Sequence, residues 1–386
     1  MLSPFIINDK NLFLDRFPIS QVNRSLQAWD AADEYLINYI TEQKLIKKNS
    51  KILIFNDAFG ALTTNLSMTG NLVYSVNDSL LSEQGIKHNL EQNHLATDNV
   101  HYLNSLASLP SNIDLVVFKI PKSKSLLKDQ LLQIKSTYPE SLLFIAADRA
   151  KEIHSSTLKI FEKHLGTTTT SLAVKKARLV FCQLDQKQKQ HSPFPTVWDL
   201  EPIYPASTTF VIYNHANVYA REKLDLGARY LLQNLPHITA GTRVIDLGCG
   251  NGVLGLSLLA AQPLAEIHFI DESYMAIDSA KTNIEKNLPE QLAQCEFTVN
   301  DCLTNINERN VDLVLCNPPF HQQTATTDHI AWQMFNDAFR VLKKGGELRI
   351  IGNRQLGYHI KLKRIFGNYN EIATNNKFVT LSAKRL

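Results

Sequence analysis

Two short runs of residues have the types and spacing to do chemistry together. The first is Val244-Ile245-Asp246-Leu247-Gly248-Cys249-Gly250-Asn251-Gly252. Its alternate glycines let the backbone wrap against a flat or charged ligand, because no side chain holds that ligand away. A dinucleotide site spaces its glycines Gly-x-Gly-x-x-Gly to seat a pyrophosphate at a helix start. The Gly-x-Gly-x-Gly spacing here, with Asp246 two residues ahead, asks for another ligand. The second run is Asn317-Pro318-Pro319-Phe320. Two prolines stiffen it and hold the carbonyls before them. The Asn317 amide oxygen and a neighbouring carbonyl can then accept both hydrogens of a planar NH₂ group, and Phe320 offers a face to the base carrying it. Such a nitrogen is a poor nucleophile, since its lone pair is delocalised into the ring. Accepting its hydrogens returns electron density to nitrogen, so positioning and electrostatics can carry its reaction without a metal or covalent intermediate. The plainer alternatives are a packing turn at the glycines and a rigid turn at the prolines.

Both runs follow segments that read as strands. These are Arg243–Leu247, Glu266–Ile270, Glu296–Val299, Val311–Cys316 and Glu347–Ile351, with helix-length stretches between them. The pattern predicts a doubly wound α/β sheet. Two last strands, near Glu371–Ala373 and Phe378–Ala383, are joined by a turn at Asn375-Asn376. The expected sheet is therefore mostly parallel and seven-stranded, with one antiparallel strand at its end. Ligands of such sheets bind beyond the carboxyl ends of the strands. Asp271, 25 residues after Asp246, and Asp301, in Asn300-Asp301-Cys302, fall at that edge. A carboxylate at Asp271 can accept both hydroxyls of a ribose; alternatively, it or Ser273 caps the next helix. The glycine loop resembles the first motif of class I S-adenosylmethionine-dependent methyltransferases. That resemblance implies that Asp246, Gly248, Gly250 and Gly252 face the methionine end of S-adenosyl-L-methionine. It also implies that Asp271 takes the ribose and Asp301 the adenine amine, with a turn cap as the alternative for Asp301.

The first half repeats the second in weaker form. Val76-Asn77-Asp78-Ser79 and Asn89-Leu90-Glu91-Gln92-Asn93 match Ile270-Asp271-Glu272-Ser273 and Asn283-Ile284-Glu285-Lys286-Asn287 at an offset of 194. Asn112–Val117 matches Asn310–Leu315 at 198, and Leu165-Gly166 matches Phe366-Gly367 at 201. Drifting offsets in a shared order indicate two copies of one fold. The first copy has lost the chemistry: Ile54 stands for Asp246, Asn56 for Gly248, Ala58 for Gly250 and Asn77 for Asp271. Lys119-Ile120-Pro121-Lys122 replaces Asn317-Pro318-Pro319-Phe320. Lys119, Lys122, Lys124 and Lys128 then form a basic run with no acid before Asp129, readable as a phosphate site or as solvated helix surface. Seven Lys/Arg and one acid between Lys343 and Arg364 pose the same choice; Arg354 is the best placed of them, just after the fifth strand. Tyr213–Arg221, entering the second copy, is a candidate lid.

Composition sets the outer limits. With 386 residues, 44% of them hydrophobic, the chain is long enough for two domains at ~100–200 residues each. Four of its 14 prolines fall between 193 and 205, so the expected division is a first domain 1–190, a Pro-rich connector 191–205 and a second domain 206–386. No apolar run approaches the ~18–20 residues of a membrane span. The N-terminus lacks a basic region ahead of an apolar stretch. Five cysteines (182, 249, 295, 302, 316) without a Cys-x-x-Cys suit reduced thiols and a cytoplasmic protein. His321 and His329 lack a third ligand at suitable spacing, so no metal is expected. A formal charge of +3 does not by itself mark a nucleic-acid binder.

The likeness extends beyond the cofactor loop. Arg16-Phe17-Pro18, Leu26–Leu36, Asn56–Leu62, Asn214–Val218 and Asn317–Gln323 resemble the large-subunit ribosomal RNA guanine-N2 methyltransferases of γ-proteobacterial type, the methyltransferase G family. The resemblance implies two tandem class I methyltransferase-like (Rossmann-like) α/β domains, only the second of which holds S-adenosyl-L-methionine. It implies methylation of the exocyclic N2 amine of a guanine in 23S ribosomal RNA, with Asn317, Pro318, Pro319 and Phe320 at the reacting amine. The first domain, by this reading, binds RNA through Lys119, Lys122, Lys124 and Lys128. The expected partner is ribosomal RNA, with no membrane, and the expected state a monomer. Tyr219-Ala220 departs from the family's Phe-Ser. The competing readings are the same chemistry on small-subunit ribosomal RNA, a release-factor glutamine methyltransferase, and a non-catalytic RNA-binding scaffold.

Overall fold

Apolar runs such as Ile52-Leu53-Ile54-Phe55 and Leu313-Val314-Leu315-Cys316 are fully buried, as central strands covered by helices on both faces must be. The computed structural model describes residues 4–19, 26–185, 191–203, 208–319 and 325–386. It divides into two units, Met1–Pro193 and Phe194–Leu386.

The first unit opens with a hairpin, β1 (Phe5–Ile7) and β2 (Lys10–Leu12), and helix α1 (Ala31–Glu42). Strands and helices then alternate: β3 (Lys51–Phe55), α2 (Ala61–Ser67), β4 (Leu72–Asn77), α3 (Leu80–Gln92), β5 (Val100–Asn104) and β6 (Leu115–Lys119). They continue as α4 (Lys124–Thr137), β7 (Leu143–Arg149), α5 (Ser155–His164), β8 (Gly166–Thr170) and β9 (Ala177–Leu184). The sheet order is β5-β4-β3-β6-β7-β9-β8.

The second unit repeats this plan. A hairpin of β10 (Thr196–Leu200) and β11 (Phe210–Asn214) leads to α6 (Leu226–Leu232). There follow β12 (Arg243–Leu247), α7 (Val253–Ala261), β13 (Glu266–Asp271), α8 (Tyr274–Asn287), β14 (Cys295–Val299) and β15 (Val311–Cys316). The chain ends with α9 (Ala325–Val341), β16 (Leu342–Asn353), α10 (Tyr358–Phe366), β17 (Asn370–Thr374) and β18 (Phe378–Lys384). The order β14-β13-β12-β15-β16-β18-β17 matches that of the first unit strand for strand.

Two expectations change here. The antiparallel strand is not at the sheet's end: β18 inserts between β16 and β17, pairing antiparallel with both. Part of the supposed connector 191–205 is strand β10, whose Trp198 and Leu200 turn inward while Val197 and Asp199 face out.

The asparagines of the repeat have a structural purpose. Asn283 accepts from Tyr213 N (2.7 Å) and donates to Tyr213 O (3.1 Å); Asn287, one turn on, does the same at Val211 (2.9 Å each way). Asn89 and Asn93 clamp Asp15 and Phe13 in the same way. Each side-chain pair takes the place of a neighbouring strand for an extended segment with open backbone groups. Among the described residues no helix is long and apolar enough to cross a membrane.

Candidate active site

In the second sheet Leu247 lies level with Ile270 on one side and Cys316 on the other. Gly248, Asp271 and Asn317 therefore emerge side by side from its carboxyl edge. Gly248 and Gly250 take left-handed backbone conformations (φ +69° and +55°), which a side chain would strain. A Cβ on Gly250 would meet nothing within 4 Å, so the loop borders open room there. Gly252 differs. Its Cβ would lie 2.9 Å from the Ala280 Cβ, so the lack of a side chain there serves the packing of α7 on α8.

The loop is held from β13. Gly248 N and Cys249 N donate to Ile270 O (2.8 and 3.0 Å), and Gly250 N donates to Asp271 Oδ2 (2.9 Å). Asp271 Oδ1 accepts from Ser273 N (3.0 Å). The cap of α8 is Ser273, which accepts from Ala276 N (3.1 Å), so capping does not account for Asp271. Asn251 donates to Asn214 Oδ1 (2.9 Å), tying the loop to the end of β11.

Asp246 is completely buried. Its Oδ2 accepts from Gly255 N (3.0 Å), while Oδ1 has no partner among the described residues. Burial pushes the carboxyl up to about 7, the Asp271 charge adds to this, and the Gly255 amide opposes it. An uncompensated buried acceptor of this kind costs about 1–3 kcal/mol until a donor reaches it. Asp301, half-buried, accepts from Gln333 Nε2 of α9 (3.0 Å), and burial raises its carboxyl.

Asn317 is half-buried just past β15. Its Nδ2 faces Asp225 Oδ2 at 3.5 Å, and its Oδ1 is a buried acceptor with no partner among the described residues. Pro318 is buried and Pro319 exposed; Phe320 lies outside the described residues. Asp225 was not foreseen as a site residue. It caps α6 by accepting from Ala228 N (2.9 Å), and its Oδ1 accepts from the Tyr219 hydroxyl (3.1 Å). Burial first, and then Asp225, push that phenol up to about 12. The signal available was the Asp225-Leu226-Gly227 helix start and its counterpart Asp30 at the start of α1. The candidate lid Tyr213–Arg221 is pinned to α8, with His215 Nε2 2.7 Å from Asp278 Oδ2 and Ala216 and Val218 buried.

The lysines of the first unit separate. Lys119 is withdrawn from the phosphate-binding set. Its ammonium lies 2.8 Å from both Asp30 Oδ1 and Asp33 Oδ1 and is largely buried. Lys122 and Lys124 are exposed, and Lys124 Nζ donates to Ser156 Oγ (3.0 Å); Lys128 is half-buried. Arg354 is exposed beyond β16, its guanidinium 3.5 Å from Asn375 O.

Comparison with known proteins bears on the fold and the family. Residues 3–186 match the model of the RLMG N-terminal domain, and residues 209–382 that of the methyltransferase small domain. The chain is 65% identical to the ribosomal RNA large subunit methyltransferase G of Colwellia psychrerythraea, covering 99% of both. It is 52% identical to the protein of that name from Aeromonas hydrophila, covering 96% of each. Among solved structures, the T. thermophilus 16S rRNA N2 methyltransferase, in complex with AdoMet and guanosine, superposes with a TM-score of 0.75 at 19% identity. That match covers 100% of this chain and 98% of the other, and shows the same tandem fold.

Proposed function

The chain belongs to the ribosomal RNA large subunit methyltransferase G family, and from that premise we propose that its second unit methylates the N2 amine of one guanine in 23S ribosomal RNA. The observation that carries the reading is the buried Asn317 Oδ1, without a partner among the described residues, at the sheet edge that bears the glycine loop. S-adenosyl-L-methionine supplies an electrophilic sulfonium methyl when bound. The residues present suit it. Gly250 borders open room, and the spare Asp246 oxygen can take a donor from an ammonium group. Gly248 and Gly250 admit the ligand, Asp271 holds ribose hydroxyls, and Asp301 accepts from the adenine amine.

Asn317 Oδ1 accepts a hydrogen from the guanine amine and shifts electron density toward its nitrogen. Pro318 and Pro319 keep the preceding carbonyls in place, so the acceptors need not reorganise during reaction. Phe320 is assigned the stacking face for the base. Lys122, Lys124, Lys128 and Arg354 are assigned to the RNA backbone, and the first unit to RNA binding without cofactor. Five free cysteines fit a reducing, cytoplasmic setting for that substrate.

The test is methyl transfer from labelled S-adenosylmethionine to 23S rRNA, 16S rRNA, a release factor and DNA, followed by nucleoside digestion. The expected product is N2-methylguanosine from 23S rRNA. Equal labelling of 16S rRNA, or label in protein, would overturn the assignment.

A further inference from the structure

α9 and α10 both leave the carboxyl edge of the second sheet and pack against each other. Phe335 meets Tyr358 edge-on at 5.3 Å, and Phe339 meets Phe366 edge-on at 5.1 Å. Outside these contacts runs an open groove of about 460 Å³, lined by Trp332, Asn336 and Phe339 of α9 and by Arg364 and Ile365 of α10. Trp332 is half-buried, with Lys361 Nζ 5.1 Å and Arg364 Cζ 5.3 Å from its ring centroid.

We propose that this groove is a second RNA subsite, in which Trp332 stacks on an unpaired base while Lys361 and Arg364 engage the flanking phosphates. The proposal rests on the rRNA-methylating reading and extends it to a strand outside the reacting guanine. Charge selects the occupant: α10 carries Lys361, Lys363 and Arg364 and no acid, and from Arg354 to Leu386 the chain has seven Lys/Arg and a single acid, Glu371. A polyanion gains most from such a surface, and an aromatic ring beside a basic track is how proteins hold single strands. The place fits as well. α9 begins six residues after Pro319, and Trp332 lies two turns further, ~10 Å along its axis. α10 begins five residues after Asn353 closes β16. A strand leaving the methylation site therefore meets the groove within a few nucleotides. The two cations over the indole shield it in the free protein and can turn to phosphate when a base takes the ring.

The experiment measures binding of the full chain to 23S rRNA transcript and to a twelve-residue oligoadenylate across a salt series. Trp332→Ala should weaken oligoadenylate binding by about 5–150-fold with an unchanged salt slope. Trp332→Phe should recover most of the loss. Lys361→Gln with Arg364→Gln should reduce the slope of log affinity against log salt by about 1.4, at ~0.7 per cation on a single strand. Unchanged S-adenosylmethionine binding by calorimetry certifies the fold of each variant. Wild-type affinity in a folded Trp332→Ala protein overturns the subsite even where 23S rRNA is still methylated. A change of oligomeric state in that variant without loss of RNA binding overturns it too, in favour of a second copy on this face. Trp332-dependent binding in a protein that methylates no RNA would support the subsite while counting against the guanine reading.

Discussion

At the edge of the first sheet Asn56 stands where Gly248 stands in the second, and Lys119 where Asn317 stands. The strands before them are in the same register: Phe55 pairs with Phe118, and Leu247 with Cys316. In the first unit the position is filled. Asn56 Nδ2 donates to Lys119 O and Gln130 Oε1 (2.9 Å each), and Gln130 Nε2 donates back to Asn56 Oδ1 (2.9 Å). In the second, Gly248 has no side chain, and Met334 of α9 lies where Gln130 of α4 would reach. In both units the aspartate capping the first helix points to the carboxyl end of the sheet's fourth strand. Asp30 meets the Lys119 ammonium at 2.8 Å, and Asp225 meets the Asn317 amide at 3.5 Å. One edge completes its polar network within itself. The other holds two acceptors, Asp246 Oδ1 and Asn317 Oδ1, that accept from nothing among the described residues. The candidate site is thus an incomplete hydrogen-bond network, which the first unit closes with Asn56, Gln130 and Lys119 and with Ile54 in place of the buried acid.

The largest effect is expected at Lys119. Burial alone would lower its pKa, but the Asp33 and Asp30 charges outweigh that and hold it up. Lys119→Met leaves Asp33 buried among acids; its carboxyl already sits at about 6 with the lysine present. Loss of one partner of a buried pair should cost the first unit about 3–5 kcal/mol in denaturant unfolding, with methyl-donor binding by the second unit unchanged. A loss below about 1 kcal/mol would mean that the network is not what closes this edge.

Asn317→Ala tests the open edge. Removal of one pre-organised polar group should raise the barrier by about 3–4 kcal/mol, or roughly 10²–10³ in turnover, and leave cofactor affinity unchanged. Asp225→Ser keeps a capping oxygen for α6 but withdraws the carboxylate from Asn317. Turnover should fall about tenfold, with the melting temperature and cofactor affinity held, as expected when a reacting group is only misaligned. A fall in stability instead would make Asp225 a cap and nothing more.

Asp246 gives the comparison a pH signature. Its folded pKa of about 7 is raised above the unfolded value, so its contribution to stability is present at low pH and lost as pH rises through 7. A bound ammonium needs the carboxylate, so cofactor affinity should run the other way and fall about tenfold per pH unit below 7. Calorimetry between pH 5.5 and 8 reads both slopes, at one equivalent of cofactor per chain. Asp246→Asn should flatten the affinity profile and stabilise the free protein at pH 8. A wild-type affinity that does not change with pH would remove the ammonium from Asp246.

Much of this was legible because the strands are short apolar runs between turn signals: 243–247 and 311–316 have the observed bounds. Elsewhere the pattern misleads for physical reasons. Lys343-Lys344-Gly345-Gly346 reads as a loop, yet β16 runs through it from Leu342 to Asn353. Prolines on either side hide the alternation of β10. Sheet order beyond β16 depends on which neighbour a hairpin strand joins, and residue types do not encode that. Lys119 looked like the head of a solvated run because its partner Asp30 is 89 residues away. Spacing alone also cannot tell the glycine that borders open room, Gly250, from the one that packs a helix, Gly252.

The smallest effect concerns what the closed edge does instead. With Lys119 committed to its ion pairs, Lys122, Lys124 and Lys128 remain as cations that can meet phosphate. Two are exposed and one half-buried, on or just before the first turns of α4. If they hold the RNA backbone, changing all three to Gln removes at most three counterion-releasing contacts. The salt slope should then shrink by about 2–3, and affinity at moderate salt should drop without a change in which guanine is methylated. Lys119→Gln added to this set should not reduce the slope further, since its charge is already neutralised within the protein. That fourth substitution makes the test specific. If all four lysines contributed equally to the slope, Lys119 would have to leave Asp30 and Asp33 to reach RNA, and the two edges would differ less than their resting geometry indicates.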